Sequence, residues 1–136
     1  MSLVDELKWD DKGLIPLIVQ DRNSKDVLMV GWANREALEK TIATSMATFW
    51  SRSRNTLWTK GESSGNAMMV HELLFDCDLD TIIALVEPKG AACHEGYRSC
   101  FFRRLTPISA EGTLAVFGER EFDPKDVYGK DAGKKG

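Results

Sequence analysis

Short apolar, β-branched runs closed off by turn chemistry recur along this chain, and a single stretch interrupts them with helical spacing. GLIPLIVQD (13 to 21) reads as a strand, but Pro16 cannot donate to a ladder, which predicts an edge or interrupted position. RNSKD (22 to 26) has turn composition and VLMVGWA (27 to 33) is strand-like, so the two runs predict a hairpin. Asn34 is then placed to cap a helix over about 34–45, with Glu36 near the positive end of its dipole and Ala37, Leu38, Thr41 and Ile42 on one face. ATFWSRSRNTLWTKG (47 to 61) predicts a second hairpin turning near Arg54 and Asn55. MMVHELLFDC (68 to 77) and TIIALVEP (81 to 88) predict a third pair of strands. KGAACHEGYRS (89 to 99) is too rich in Gly and small residues for a regular element and reads as a loop. CFFRRLTPI predicts a last strand, EGTLAVFGEREFDP is ambiguous, and VYGKDAGKKG has the composition of a disordered tail.

Short connections favour antiparallel pairing, so the expected architecture is a strand-dominated α+β fold of hairpins with one main helix. A single domain is expected, with a lead-in over 1–12, a body over 13–120 and a flexible tail over 121–136. The 136 residues, 43% of them apolar, suffice for one hydrophobic core. MSLVDELKWDDKG has no basic segment followed by an apolar stretch, so no signal peptide is expected. No apolar run approaches the ~20 residues that span a bilayer, and a cytoplasmic location is expected. The net charge of -3 argues against a nucleic-acid surface, whereas a small phosphorylated substrate fits if the basic residues cluster locally.

The three cysteines carry the strongest chemical signal. Cys77 lies inside DCDLD (76 to 80), and Cys93 and Cys100 bracket CHEGYRSC, so three thiols, three aspartates and one histidine fall within 25 residues. In a reducing compartment an odd cysteine count favours metal binding or catalysis over disulfides. If 74 to 80 is extended, Asp76, Asp78 and Asp80 face one side and Cys77 the other, which would separate a hard-ion site for Mg²⁺ from a soft one for Zn²⁺. The plainer reading is an acidic turn with one buried thiol. An EF-hand is excluded because Thr81 stands where the calcium loop needs Gly and an apolar run follows it. Three thiolates and a water would make an open, catalytic zinc site. His94 fits a general base beside that water, though it also fits a fourth ligand or a solvated loop residue. His71, inside MMVHELL, reads as structural.

A second constellation is basic. Arg52, Arg54 and Lys60 put three cations on one hairpin of an acidic protein, and Glu62, Ser63, Ser64, Gly65 and Asn66 supply the hydroxyls and backbone N–H groups of a phosphate cradle. The order is not that of a Walker A loop, and a solvated strand face is the ordinary alternative. Trp50 and Trp58 suit stacking on a base or packing in the core.

GLIPLIVQD, VLMVGWANREAL, TFWSRSRNTLWTKGESSGN, DCDLD and EPKGAACHEGYRSCF, in that order, closely resemble the phosphoribosyl-AMP cyclohydrolase family of histidine biosynthesis over roughly residues 13 to 105. The family's usual GPACHTG reads GAACHEG here, with Ala91 for Pro and Glu95 for Thr. The resemblance implies hydrolysis of the N1–C6 bond of the adenine ring in N1-(5-phosphoribosyl)-AMP. It implies Cys77, Cys93 and Cys100 as zinc ligands and Asp76, Asp78 and Asp80 as magnesium ligands. It implies an intertwined homodimer whose zinc sites draw cysteines from both chains, with His94 assisting deprotonation of water. Arg52, Arg54, Trp58, Lys60 and residues 62–66 would meet the substrate. Two other classes share some of these features. A zinc nucleobase deaminase would use Cys93-His94-Glu95, but its P-C-x-x-C half is missing. A non-catalytic zinc-stabilised nucleotide-binding module would unfold on metal removal.

Overall fold

The computed structural model describes residues 2–62 and 65–125. Its elements in chain order are helix α1 (Leu3–Glu6), strands β1 (Ile15–Asp21) and β2 (Val27–Ala33), helix α2 (Arg35–Thr44), then β3 (Thr48–Ser51), β4 (Thr56–Thr59), β5 (Met68–Phe75), β6 (Ile82–Pro88), β7 (Arg103–Thr106) and β8 (Thr113–Val116). A four-stranded sheet has the order β2-β1-β6-β5, and β3-β4 and β7-β8 form two hairpins. The fold is thus strand-dominated with one main helix, and the three hairpins expected before residue 89 are all present.

The expectation for Pro16 is corrected. β1 is an interior strand, antiparallel to β2 and parallel to β6. The β6 ladder begins at Leu17 opposite Ile82, one residue past Pro16, so the missing N–H falls where β6 makes no demand on it. Alternate residues Ile15, Leu17 and Val19 point into a core with Ala33, Ile82, Ala84 and Val86, closed by Ala37 and Leu38 of α2 and Phe49 of β3. Full burial of each large aliphatic side chain contributes about 1.5–3 kcal/mol. The lead-in joins this core through Val4 and Leu7, with Trp9 packed against it.

The opposite face of the sheet carries an apolar row that the described residues leave partly exposed. Ile18 lies opposite Val30 on one side and Ile83 on the other, and Ile83 lies opposite Leu74, so one row crosses all four strands. Val30 is 46% exposed and Leu74 44%.

Helix α2 begins as its sequence dictates: the Asn34 side chain accepts from the Ala37 N–H at 2.8 Å. It ends at Ser45, which takes a left-handed conformation and donates its N–H to the Thr41 carbonyl. Ala37, Leu38 and Thr41 are buried as expected, but Ile42 lies outside the stripe and is exposed. The ambiguous segment after residue 110 contains β8, so β7 is not the last strand. Both strands of this hairpin are largely exposed, Leu105, Leu114 and Val116 included. The expected tail starts fastened: the Glu121 N–H donates to the Gly96 carbonyl at 2.6 Å. VYGKDAGKKG lies outside the described residues.

Candidate active site

DCDLD is not extended. It is the turn between β5 and β6, and Leu79 adopts a left-handed conformation at φ 61°. The Asp76 carboxylate accepts the backbone N–H groups of Asp80 (3.0 Å) and Thr81 (3.2 Å), and the Leu79 N–H donates to the Asp76 carbonyl. The strand argument for a shared face therefore fails, yet the turn gathers the same three side chains: carboxylate oxygens of Asp76, Asp78 and Asp80 lie within 4.8 Å of one another. Desolvation pushes Asp76 upward, but hydrogen bonds involving Asp80, Thr81 and Asp78 outweigh it and hold Asp76 below the ordinary range. Asp80 is raised by its side-chain contacts to Asp76 and then Asp78. Three crowded carboxylates fit a hard divalent cation. Cys77, in the same turn, is exposed, not buried.

Cys93 and Cys100 meet in the loop after β6. The loop is pinned backbone to backbone: Ala92 N–H to the Arg98 carbonyl (3.0 Å), Cys93 N–H to the Tyr97 carbonyl (3.1 Å) and Cys100 N–H to the Leu28 carbonyl (2.7 Å). Arg98 pairs with buried Asp21 and with Asp26, tying the loop to the β1–β2 turn. The interaction between the two thiols draws Cys93 down to about 6 and, with burial, pushes Cys100 up. The Glu95 N–H donates to the Cys93 sulfur at 3.4 Å, and the charge of nearby His94 also favours the Cys93 thiolate. Two soft donors poised in this way fit zinc. Among the described residues, however, Cys77 does not join them: the only group of three His, Cys, Asp or Glu residues with ligand atoms close together is the aspartate triad.

The basic hairpin divides its cations. Arg52 stacks its guanidinium over the Trp32 ring at 4.6 Å, and Arg54 is exposed at the turn. Lys60 is buried at the far end of β4. Trp58 stacks on Phe49 with centroids 4.8 Å apart, at the margin of the core. A cavity of about 520 Å³ is lined by Lys12, Trp32, Trp50, Arg52, Ser53 and Trp58 among others. Trp32 also lines a second cleft with Lys8, Pro16 and Asp80. Lys12 and Trp32 were not among the candidates, because neither belongs to a local cluster in the sequence. They reach the cavity through the approach of the lead-in and through the register of β2. The Glu62 carboxylate turns back to accept the Thr59 N–H at 3.1 Å. Gly65 is exposed, with its N–H donated to the Gly61 carbonyl at 2.8 Å, and Asn66 packs against Gly90 of the thiol loop. Ser63 and Ser64 lie outside the described residues. His71 is the extra residue of a bulge in β5 and is exposed.

The fold and these side chains define a small α+β enzyme with separate thiol and carboxylate clusters and an aromatic, basic cleft. The model of the phosphoribosyl-AMP cyclohydrolase family matches residues 29–102. A relative named phosphoribosyl-AMP cyclohydrolase from Pelotomaculum thermopropionicum is 55% identical over 127 residues, covering 93% of this chain and 96% of the relative. Relatives of the same name from Methanospirillum hungatei (55% over 124 residues, 91% and 89% covered) and Methanococcoides burtonii (56% over 125 residues, 92% and 98% covered) are similar throughout. The chain belongs to the phosphoribosyl-AMP cyclohydrolase family.

Proposed function

We propose that this chain hydrolyses the N1–C6 bond of the adenine ring in N1-(5-phosphoribosyl)-AMP, a step of histidine biosynthesis, and that it does so as a zinc- and magnesium-dependent cytoplasmic homodimer. Family membership over nearly the whole chain carries the reading. Cys93 and Cys100, with Cys77 of a second copy, would hold zinc; Asp76, Asp78 and Asp80 would hold magnesium. When bound, zinc supplies a Lewis acid that makes water nucleophilic near neutral pH. His94, next to Cys93 in the thiol loop, accepts a proton in its neutral form as water adds to C6. The N1–C6 bond then breaks, N1 leaves with a proton, and C6 becomes the carboxamide carbon.

Arg52, Arg54, Gly65 and Asn66, with Ser63 and Ser64, would meet substrate phosphate, and Trp32, Trp50 and Trp58 offer apolar faces to the purine. The second copy is supported by the apolar row Val30–Ile18–Ile83–Leu74 and by the exposed apolar residues of the β7–β8 hairpin. No helix among the described residues is long and apolar enough to cross a membrane.

Turnover tests the reading directly. Purified protein supplied with Zn²⁺ and Mg²⁺ is expected to open the ring of phosphoribosyl-AMP, and Cys93→Ser and His94→Ala are expected to abolish this without unfolding. Absence of ring opening by the metal-loaded wild type would overturn the assignment.

A further inference from the structure

Among the described residues only two charged side chains are buried, Asp21 at 4% exposure and Lys60 at 9%. Asp21 is opposed by Arg98. Lys60, grouped by sequence with Arg52 and Arg54, points instead into the protein: its Nζ donates to the Ala92 carbonyl at 2.5 Å, across 32 positions of sequence. Its backbone is fixed as well, the Lys60 N–H donating to the Ala47 carbonyl at 2.9 Å, and its ammonium lies 6.0 Å from the Trp58 ring centroid.

The carbonyl it holds belongs to the peptide that joins Ala92 to Cys93. The N–H of that peptide donates to the Tyr97 carbonyl at 3.1 Å, so the unit is gripped at both its oxygen and its hydrogen. This fixes the direction in which the Cys93 side chain leaves the backbone. A buried ammonium is costly unless acceptors or negative charge meet it, and the Ala92 carbonyl is one such acceptor. The Lys60 charge also favours the thiolate form of Cys100, in the same loop.

We propose that Lys60 is a positioning residue for the thiol loop, orienting the Ala92–Cys93 peptide and holding a fixed positive charge beside the zinc-binding sulfurs, and that it is not a phosphate ligand. This rests on the reading of Cys93 and Cys100 as zinc ligands. It joins the hairpin that carries Arg52 to the loop that carries His94, so the substrate-binding and metal-binding halves of the site share one strut.

The test compares wild type, Lys60→Met, Lys60→Ala and Cys93→Ser for zinc affinity, by competition with a chromogenic chelator, and for turnover of phosphoribosyl-AMP. Met fills the same space without the charge, so folding, followed by circular dichroism, is expected to survive. Zinc affinity should fall about 10- to 100-fold in Lys60→Met, the range found when groups supporting metal ligands are removed. The kcat should fall with KM unchanged, and methylammonium should restore zinc affinity to Lys60→Ala in a saturable way. Wild-type zinc affinity in Lys60→Met, or a raised KM with unchanged kcat, would overturn the proposal while Cys93→Ser still loses zinc. Retention of wild-type zinc affinity by Cys93→Ser would overturn the ligand reading and this proposal with it. Should Lys60→Met not fold, methylammonium rescue of Lys60→Ala decides: rescue supports the strut, and a folded variant without rescue overturns it.

Discussion

Cys77 and Cys93 stand beyond opposite ends of β6: Cys77 in the turn that enters the strand, Cys93 in the loop that leaves it. At ~3.3 Å per residue the strand between them is on the order of 20 Å long, several times the reach of two thiolates on one zinc. If three thiolates are used, they must come from two chains. Cys77→Ser and Cys93→Ser should then each be inactive alone, while a co-refolded equal mixture should recover about a quarter of wild-type activity. Random pairing makes half the dimers mixed, each with one intact site of two. Activity staying at zero in a mixture shown to contain mixed dimers would exclude shared sites.

The acidic turn stores repulsion that a cation should relieve. Asp80 is raised by Asp76 and Asp78, so its folded-state pKa exceeds the ordinary 3.8. Such a shift disfavours the folded state once pH rises above 3.8, and the penalty is complete above the raised value. Asp80→Asn is therefore expected to raise the melting temperature of metal-free protein at pH 7, to lose that advantage below pH 3.8, and to abolish the further rise that Mg²⁺ gives the wild type. Thermal denaturation with and without Mg²⁺ at the two pH values checks both signs; a variant less stable than wild type at pH 7 without metal would contradict the repulsion.

The sequence was most legible where local chemistry decides structure. Asn34 announces its helix, and the hairpins follow from β-branched runs broken by residues such as Asn55, which takes a left-handed conformation at φ 56°. The parallel pairing of β1 with β6 was not legible, because it joins strands some sixty residues apart and leaves no mark in either run. For the same reason Pro16 read as an edge signal: periodicity does not tell where a ladder begins. The aspartates of DCDLD were correctly grouped from a mistaken premise, since a tight turn and an extended strand can both bring alternate residues together. Arg52 and Lys60 show the converse. Eight positions apart on one hairpin, they look equivalent as charges, yet one stacks on Trp32 and the other is buried against Ala92.

Arg98 is expected to matter for stability as well as for the loop. Desolvation raises Asp21, but the N–H groups of Asn23 and Ser24, with Arg98, outweigh it and lower its pKa below 3.8. A lowered carboxylate contributes stability above 3.8 that is lost as pH falls through the folded-state value. Arg98→Met should cost roughly 1–2 kcal/mol at pH 7, allowing for the partial exposure of the guanidinium. The loss should shrink as Asp21 becomes protonated in acid. Urea titrations at neutral and acidic pH measure the difference, and an equal loss at both would show that packing alone is at stake.

Arg52 offers the cleanest separation of binding from chemistry. Its guanidinium lies over Trp32 at the wall of a basic and aromatic cleft, while the thiol pair is held by other contacts, from Lys60, Leu28 and the Asp21–Arg98 pair. Losing Arg52 should leave those contacts standing. A charge-assisted hydrogen bond to phosphate is worth about 1.5–3 kcal/mol, and each 1.4 kcal/mol is a factor of ten. Arg52→Ala is therefore expected to raise KM for phosphoribosyl-AMP roughly 10- to 100-fold with kcat and zinc content little changed. Steady-state kinetics with metal analysis would settle it, because a lowered kcat at unchanged KM would place Arg52 in the chemical step.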